Sequence, residues 1–191
     1  MKKLIETLRN IWKIEDLRAR ILYTLGILLV YRLGTHVVLP GIDPTKLASL
    51  AQPSGNILDL LNLFTGGAFA RASIFGLGIM PYISASIVVQ LLGIAVPYFQ
   101  RLQREGESGR RKINQITRYL TVAILIPQGL SYITSLRYQL PPEAFSANFS
   151  RMASMIILTA GTMFIMWLGE RITDKGIGNG ISLIIMIGII A

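Results

Sequence analysis

The chain has 191 residues, of which 52% are hydrophobic and only 15% are charged. Soluble domains average about 25% charged residues, so this chain has too little charge to cover a water-facing surface. It has no cysteine and a single histidine, His36. This excludes disulfides and thiolate metal sites, argues against a histidine metal site, and leaves no cofactor to expect.

The net charge of +9 is distributed unevenly along the sequence. Nucleic-acid binding, contact with anionic lipids and the Lys/Arg bias of cytoplasmic loops would each explain a basic chain. The basic residues cluster between apolar runs, which favours the last two explanations. Fourteen of them lie in residues 1–20, 100–118 and 169–180, and only three lie in the loops expected on the opposite side. The bias predicts a multi-pass protein of the cell inner membrane with a cytoplasmic N-terminus.

The first 55 residues predict a surface helix, a membrane span and a loop. Residues 1–20 place apolar and basic side chains near helical spacing, which indicates an amphipathic helix at a membrane surface or a solvated leader helix. Residues 21–39 would form a helix of about 28 Å, enough to cross a bilayer core of about 30 Å. Arg32 interrupts this span, so it either faces the protein interior or reaches the interface. Residues 40–55 are predicted to form an external loop.

The next segment, residues 56–70, predicts a half-helix that enters the membrane without crossing it. The apolar run Ile57–Thr65 contains Asp59 and Asn62 and is followed by the pair Gly66-Gly67. Nine helical residues span only about 13 Å, which is too short to cross. Such a re-entrant half-helix must be buried in protein or line a cavity.

The rest of the chain alternates between apolar and polar segments. Residues 72–97 carry no charge and predict a span that is helical from about Phe75 to Ala95, with Pro81 in its first turns or at a kink. The remaining predicted segments are a soluble basic loop (98–118), a third span (119–136), an external loop (137–150), a fourth span (151–169), a cytoplasmic loop (170–180) and the start of a fifth span (181–191). We expect the natural protein to continue beyond Ala191.

These elements favour transport across or into the membrane over catalysis. Half-helices at membrane depth mark substrate paths in channels and transporters. Ser84 and Ser86 have no histidine or lysine on the same predicted helix, and Asp59 is the single acidic residue in the predicted spans, so an enzyme is not expected. Half of a secondary transporter with a discontinuous helix is the alternative, and a membrane scaffold without a pore is a third possibility.

Four stretches of the sequence form long and uncommon motifs: NLFTGGAFARASIFGLGIMPYISASIVVQ (62–90), EGESGRRKI (105–113), GIGNGIS (176–182) and LPGID (39–43). They closely resemble the SecY/Sec61α family of protein-conducting channels. In that family they correspond to the second transmembrane region, the following cytoplasmic loop, the entry to the fifth helix and the turn after the first helix. The resemblance implies an all-α, polytopic transmembrane helix bundle, the N-terminal half of a ten-helix fold with a re-entrant plug half-helix.

The resemblance also implies which residues line and seal the pore. A pore ring of aliphatic side chains falls on Ile79, Ile83, Ile181 and Ile185. In each pair the residues are four apart, so both can face one line on a helix. The plug, which would seal the resting channel, falls on Ile57, Leu58, Asp59, Leu60, Leu61, Asn62, Leu63, Phe64, Thr65, Gly66 and Gly67. Without the resemblance, packing of these isoleucines on lipid or on neighbouring helices would be the simpler interpretation.

A lateral gate and a set of partners follow from the same resemblance. One side of the gate would be formed by Ser84, Ile87, Val88 and Leu91. The basic loop would expose Arg104, Arg110, Arg111 and Lys112, which set topology or contact a cytoplasmic partner or anionic headgroups. The implied partners are SecE, SecG, the SecA motor, the ribosome, signal peptides, unfolded precursor proteins, membrane lipids and the C-terminal half of the same channel.

Overall fold

The structure is a computed structural model that describes residues 14–43, 63–139, 145 and 150–190. Within these ranges the regular secondary structure consists of helices and two isolated β-bridges, so the predicted all-α class is confirmed. The described helices are α1 (Glu15–Gly34), α2 (Met80–Ala95), α3 (Pro97–Arg104), α4 (Glu107–Gln139), α5 (Arg151–Lys175) and α6 (Gly180–Ile190).

The first helix ends earlier than the predicted span of residues 21–39. Glu15 and Asp16 stand in its first turn, where negative charge is favoured, and Arg32 stands in its last. Beyond Gly34 the backbone pairs with residues 72–74: Leu39 donates to the Ala72 carbonyl at 2.8 Å, and Ile74 donates to the Val37 carbonyl at 2.9 Å. These bonds replace the helical ones, so the helix stops short of residue 39.

The second helix begins at Met80, later than the sequence predicts. The preceding turn segment, residues 65–79, is a series of turns rather than the first part of a span. Gly66, Gly67 and Gly78 adopt positive φ there, and Ala72 does so with φ 46°. Positive φ is incompatible with a right-handed helix, which therefore starts only at Met80. Pro81 fits in the first turn because no helical hydrogen bond is required of its nitrogen there.

The predicted basic loop of residues 98–118 is helical. It consists of α3 and the first part of α4, separated by a turn at Gly106, where φ is +71°. Arg, Lys, Glu and Gln are good helix formers, so a polar composition did not exclude helix here. The chain bends by 99° between α2 and α3, at the extended residue Val96 that precedes Pro97.

The helices α4 and α5 also differ in extent from the predicted segments, whereas α6 agrees with its predicted start. With 33 residues, or about 50 Å, α4 starts at Glu107 rather than at residue 119. The next helix, α5, continues to Lys175 and so includes half of the predicted loop 170–180. The start of α6 at Gly180 agrees with the predicted fifth apolar helix.

Among the described helices, α4 and α5 are long and apolar enough to cross a membrane. The bent pair α2 and α3 would be a third crossing element if it is counted as one span. The first helix is long enough but carries five charged residues, namely Glu15, Asp16, Arg18, Arg20 and Arg32.

Two apolar clusters hold the helices together. The central cluster joins α1, the turn segment, α5 and α6, and consists of Leu28, Tyr31, Ala68, Phe75, Ile79, Ile165, Leu168, Ile172 and Ile184. The second cluster joins α4 and α5 to the chain after α1, and consists of Leu39, Ile42, Ala72, Leu77, Leu125, Tyr132, Ile133, Leu136 and Leu158. The turn segment contributes to both clusters and so links the two groups of helices.

Candidate functional site

The four predicted ring residues lie at the central cluster. Ile79 is buried within it, and Ile83, Ile181 and Ile185 are partly buried and pack against it. The Ile83 amide donates to the Ile79 carbonyl at 3.1 Å, so these two residues are stacked one helical turn apart. The structure thus brings two pairs of isoleucines, more than 90 residues apart in sequence, to the same apolar cluster.

The predicted gate residues form one stripe along α2. Ile87, Val88 and Leu91 are exposed, whereas Ala85 and Val89 on another face are buried where α2 packs along α4. Ser84 continues the stripe, and its hydroxyl donates to the Met80 carbonyl at 3.2 Å. Exposed apolar side chains in a row are unusual for a surface in water and suit contact with lipid or with another apolar segment.

The predicted plug lies mostly outside the described residues. Positions 57–62, which include Asp59 and Asn62, fall there. Of the remainder, Leu63 and Phe64 are helical and exposed, and Thr65 is buried. The described part therefore covers the end of the predicted half-helix and the glycine turn, Gly66-Gly67, that follows it.

The glycine turn contacts two other parts of the chain. Gly66 has φ +63° and Gly67 has φ +81°, a conformation that glycine adopts without strain. Arg32, half-buried in the last turn of α1, donates from Nη1 to the Gly66 carbonyl at 3.2 Å, so its charged end contacts the backbone of the turn. On α6, Gly188 lies so close that a Cβ there would stand 2.7 Å from the Phe64 carbonyl oxygen.

A cavity of about 290 Å³ lies between the turn segment, α2 and α4. Apolar side chains such as Phe69, Leu77 and Met80 line it together with Ser84 and Gln128. The Tyr132 hydroxyl at its wall donates to the Phe69 carbonyl at 2.8 Å, which fixes the turn segment against α4. No local sequence pattern predicts this cavity, because its walls come from separate segments of the chain.

A second, polar cavity of about 270 Å³ lies where α2, α4, α5 and the start of α6 meet. Arg118 of α4 binds Glu170 of α5 with both ends of its guanidinium, and Nε donates to Oε1 at 3.1 Å. Tyr82 and Asp174 also line this cavity, beside the predicted ring residue Ile181. Arg118 was predicted to lie in a loop, and this interhelical ion pair was not predicted.

The four predicted basic-loop residues are exposed, as expected for a surface in water. They are Arg104 at the end of α3 and Arg110, Arg111 and Lys112 at the start of α4. Arg111 pairs with Glu107 at 2.9 Å across one helical turn, with both side chains in solvent. Such an exposed pair contributes little to stability, so these residues are available to bind other molecules.

Within the described residues, no group of three or more His, Asp or Glu side chains is arranged to hold a metal ion. Two buried hydroxyls donate to backbone groups: Ser73 to the Gly34 carbonyl at 3.0 Å, and Thr121 to the Thr117 carbonyl at 2.7 Å. The buried Thr162 hydroxyl has no hydrogen-bond partner among the described residues. The described residues thus offer apolar contact surfaces and close contacts between helices.

Comparison with known proteins assigns the family. The family model described as SecY matches residues 73–191. The chain belongs to the SecY family. This match includes α2 to α6 and all four predicted ring residues, so the resemblance found in the sequence is confirmed.

Curated SecY relatives match almost the whole chain. The protein translocase subunit SecY of Haemophilus influenzae is 49% identical over 181 residues, which cover 92% of this chain and 40% of the relative. Those of Escherichia coli K12 and Buchnera aphidicola are both 48% identical over 180 residues, which cover 92% of this chain and 41% and 51% of the relatives. The chain thus spans about half the length of these SecY proteins or less.

Solved channel structures share the fold. A structure described as a protein conducting channel matches 90% of this chain and 36% of its own length, with a TM-score of 0.59 and 20% identity. Sec61 in the canine ribosome-channel complex from the endoplasmic reticulum matches with the same values. SecY family membership and the apolar helices identify the chain as a membrane protein with the helical fold of these channels.

Proposed function

We propose that this chain forms part of a central channel subunit that passes unfolded secretory chains across the membrane and releases transmembrane segments sideways into lipid. The observation that carries the proposal is the meeting of Ile79, Ile83, Ile181 and Ile185 at the central cluster. A narrow apolar constriction makes no fixed hydrogen bonds, so it adapts to a passing chain and resists hydrated ions by dewetting.

The stripe on α2 supports the second part of this function. Ile87, Val88 and Leu91 are 52%, 41% and 59% exposed, and Ser84 continues the stripe towards the predicted ring. An apolar segment leaving the pore would pass this face of α2 and exchange contact with it for contact with lipid. We therefore propose the stripe as one side of a lateral gate.

The predicted plug completes the proposed channel. Its last residues lead into the glycine turn, which lies beside the central cluster through Ala68. A half-helix held there would close the path while no polypeptide is present, and Asp59 and Asn62 would then face a water-filled funnel rather than lipid.

We propose that the missing elements of this function come from partners and from a C-terminal half. SecE and SecG would accompany the subunit, and SecA or a translating ribosome would supply the energy. The charge bias supports an inner-membrane location with the N-terminus and the basic residues of α3 and α4 in the cytoplasm. Anionic lipid headgroups would meet those basic residues.

The test is site-specific crosslinking to a stalled precursor. Residues 14–190 of this chain replace the matched segment of the Escherichia coli subunit, which gives a full-length chimera. A photoreactive residue at Ile83 or Ile181 should crosslink a translocating precursor at least about fivefold more than one at Leu29, an exposed apolar residue of α1. Equal crosslinking from Leu29 and Ile83 would refute the proposed path.

A secondary transporter is distinguished by its substrates. Proteoliposomes that contain the chimera should show no uptake of small solutes driven by an ion gradient, while still importing an unfolded precursor. Solute uptake coupled to the ion gradient, without import of the precursor, would show that the protein is a transporter and not a channel.

A further inference from the structure

We propose that Arg118 and Glu170 are positioning residues: their ion pair holds α4 against α5 and thereby sets the spacing of the two isoleucine pairs. The contacts that carry this inference lie within the chain, whereas its meaning for a pore rests on the proposed function.

The ion pair has the geometry of a directional contact. Both ends of the Arg118 guanidinium bind the Glu170 carboxylate, and Nε donates to Oε1 at 3.1 Å. The two side chains are 46% and 21% exposed, so the carboxylate is largely shielded from water. Ion pairs at a surface usually contribute little, but a two-pronged contact between arginine and a carboxylate adds both strength and a fixed geometry. This contact therefore fixes the two helices relative to each other at one point.

A second contact between the same helices lies at some distance from the ion pair. A Cβ on Gly129 of α4 would lie 2.9 Å from Met155 Sδ of α5, and Leu125 and Leu158 share one apolar cluster. Gly129 is about 16 Å further along α4 than Arg118. One contact alone would let the helices pivot about it, whereas two contacts at this separation restrict that motion.

The buried hydroxyls next to Arg118 are used within α4 itself. Thr117 donates to the Ile113 carbonyl at 2.9 Å, and Thr121 donates to the Thr117 carbonyl at 2.7 Å. Helices in a membrane associate through close packing and polar contacts, because lipid tails are as apolar as the side chains they replace. The ion pair is thus a polar contact that joins α4 to α5 where the neighbouring hydroxyls do not.

Glu170 lies in the turn of α5 that is fastened to the start of α6. Thr173 donates to the Gly169 carbonyl at 3.0 Å and accepts from the Gly180 amide at 2.9 Å. The next residue, Ile181, is a predicted ring residue. A displacement of Glu170 relative to α4 would therefore move α6 and its isoleucines as well.

Arg118 is connected to the other isoleucine pair through α2, which packs along α4. Tyr82 of α2, which directly precedes Ile83, lines the polar cavity together with Arg118, Glu170 and Ile181. The wall of one cavity thus contains the ion pair, a ring residue of α6 and the neighbour of a ring residue of α2. Separation of α4 from α5 would widen this cavity and move the isoleucine pairs apart.

Charge reversal tests the ion pair in the full-length chimera, prepared without cysteine in its other segments. Spin labels are attached at Ser108→Cys and Lys175→Cys, two exposed positions on α4 and α5. Arg118→Glu and Glu170→Arg each place like charges opposite each other, so each should increase the mean distance between the labels by about 2 Å. The double reversal restores opposite charges and should restore the wild-type distance. Arg118→Gln removes one charge without creating repulsion and should give a smaller increase.

Glu107 and Arg111 provide the matched control. They form an ion pair of the same two residue types, with 2.9 Å between the charged atoms, but within α4 and in solvent. Arg111→Glu should leave the distance between the labels at the wild-type value, because this pair holds no second helix. Unchanged helix content in far-UV circular dichroism shows that each variant is folded.

Photocrosslinking tests the consequence for the isoleucines. A photoreactive residue at Ile83 should crosslink to residues 181–185 in the wild type. The yield should fall at least about twofold in either single reversal and should recover in the double reversal, as expected for two residues that act as a pair. An ion pair that only added stability would leave this yield unchanged in the folded protein.

Equal label distances in all variants would overturn the inference, and so would longer distances with an unchanged crosslinking yield. A shift that the double reversal fails to reverse would also contradict it. A wild-type chimera that imports no precursor would defeat the proposed function alone, because neither the label distance nor the crosslink within the chain depends on transport.

Discussion

Single hydroxyl groups fix the positions of helix ends in this chain. Thr24 of α1 donates to the Arg20 carbonyl at 2.8 Å and accepts from the Ile177 amide at 3.2 Å, across 153 residues. A Cβ on Gly176 would lie 2.5 Å from this hydroxyl oxygen, so glycine allows the approach. One side chain therefore fastens the connection between α5 and α6 to α1.

Thr24→Val tests this contact at the scale of one residue. Valine keeps the shape but leaves the Ile177 amide without its acceptor, so the variant should lose about 1–2 kcal/mol of unfolding free energy. The measurement is denaturant unfolding in mixed micelles. Thr159→Val is the control, since Thr159 donates only within its own helix, to the Met155 carbonyl, and should change stability by about 0.5 kcal/mol or less. Equal losses in the two variants would contradict the role of Thr24.

The sequence predicted the isoleucine pairs at helical spacing, but it did not predict the long-range partners of two arginines. The pairs Ile79 with Ile83 and Ile181 with Ile185 follow from spacing and resemblance. The acceptor for Arg32 lies 34 residues away, and the partner of Arg118 lies 52 residues away. Such contacts depend on how helices pack, and no local pattern in the sequence records that arrangement.

At the scale of elements, α5 and α6 approach each other at two glycines. A Cβ on Gly180 would lie 2.0 Å from the Gly169 carbonyl oxygen, and a Cβ on Gly169 would lie 3.1 Å from the Ile181 side chain. Small residues at a crossing let two helix backbones come into van der Waals contact, which is a main source of helix association in membranes.

Gly180→Ala should force this crossing apart. We expect a loss of about 2–3 kcal/mol of unfolding free energy, because the new methyl group meets backbone that cannot rotate away. Gly26→Ala is the matched control: nothing lies within 4 Å of the new methyl group, and alanine favours helix by up to about 1 kcal/mol over glycine. The thermal unfolding temperature in nanodiscs should therefore fall in Gly180→Ala and rise in Gly26→Ala. An unchanged unfolding temperature in Gly180→Ala would show that the crossing is not tight.

Elements were predicted best where hydrophobicity alone defines them. The apolar run from residue 151 corresponds to α5, and the run from residue 181 corresponds to α6. The prediction was wrong where polarity was taken to mean loop, in residues 98–118, and where an uncharged run was taken to mean helix, in residues 75–79. Charged residues form helices readily, and the positive φ angles before Met80 could not be inferred from lack of charge.

At the scale of the whole molecule, the positions of the basic residues predict which ends of the helices face the cytoplasm. The chain lacks cysteine, so single cysteines report accessibility without background. Ser108→Cys at the start of α4 and Met152→Cys at the start of α5 are both at exposed positions. In right-side-out vesicles, a membrane-impermeant thiol reagent should label position 152 and should label position 108 only after lysis. The reverse pattern would contradict the cytoplasmic N-terminus.

The close contact of α5 and α6 has a mechanical consequence for the proposed pore. Gly169 and Gly180 fasten α6, with the predicted ring residues Ile181 and Ile185, to α5. Ile83 lies in α2, which packs along α4, and Ile79 directly precedes that helix. The residues of the proposed ring are thus divided between two helix pairs, α5 with α6 and α2 with α4. Widening the proposed ring for a bulky side chain would therefore require relative movement of these two helix pairs, which pack on each other through α4 and α5.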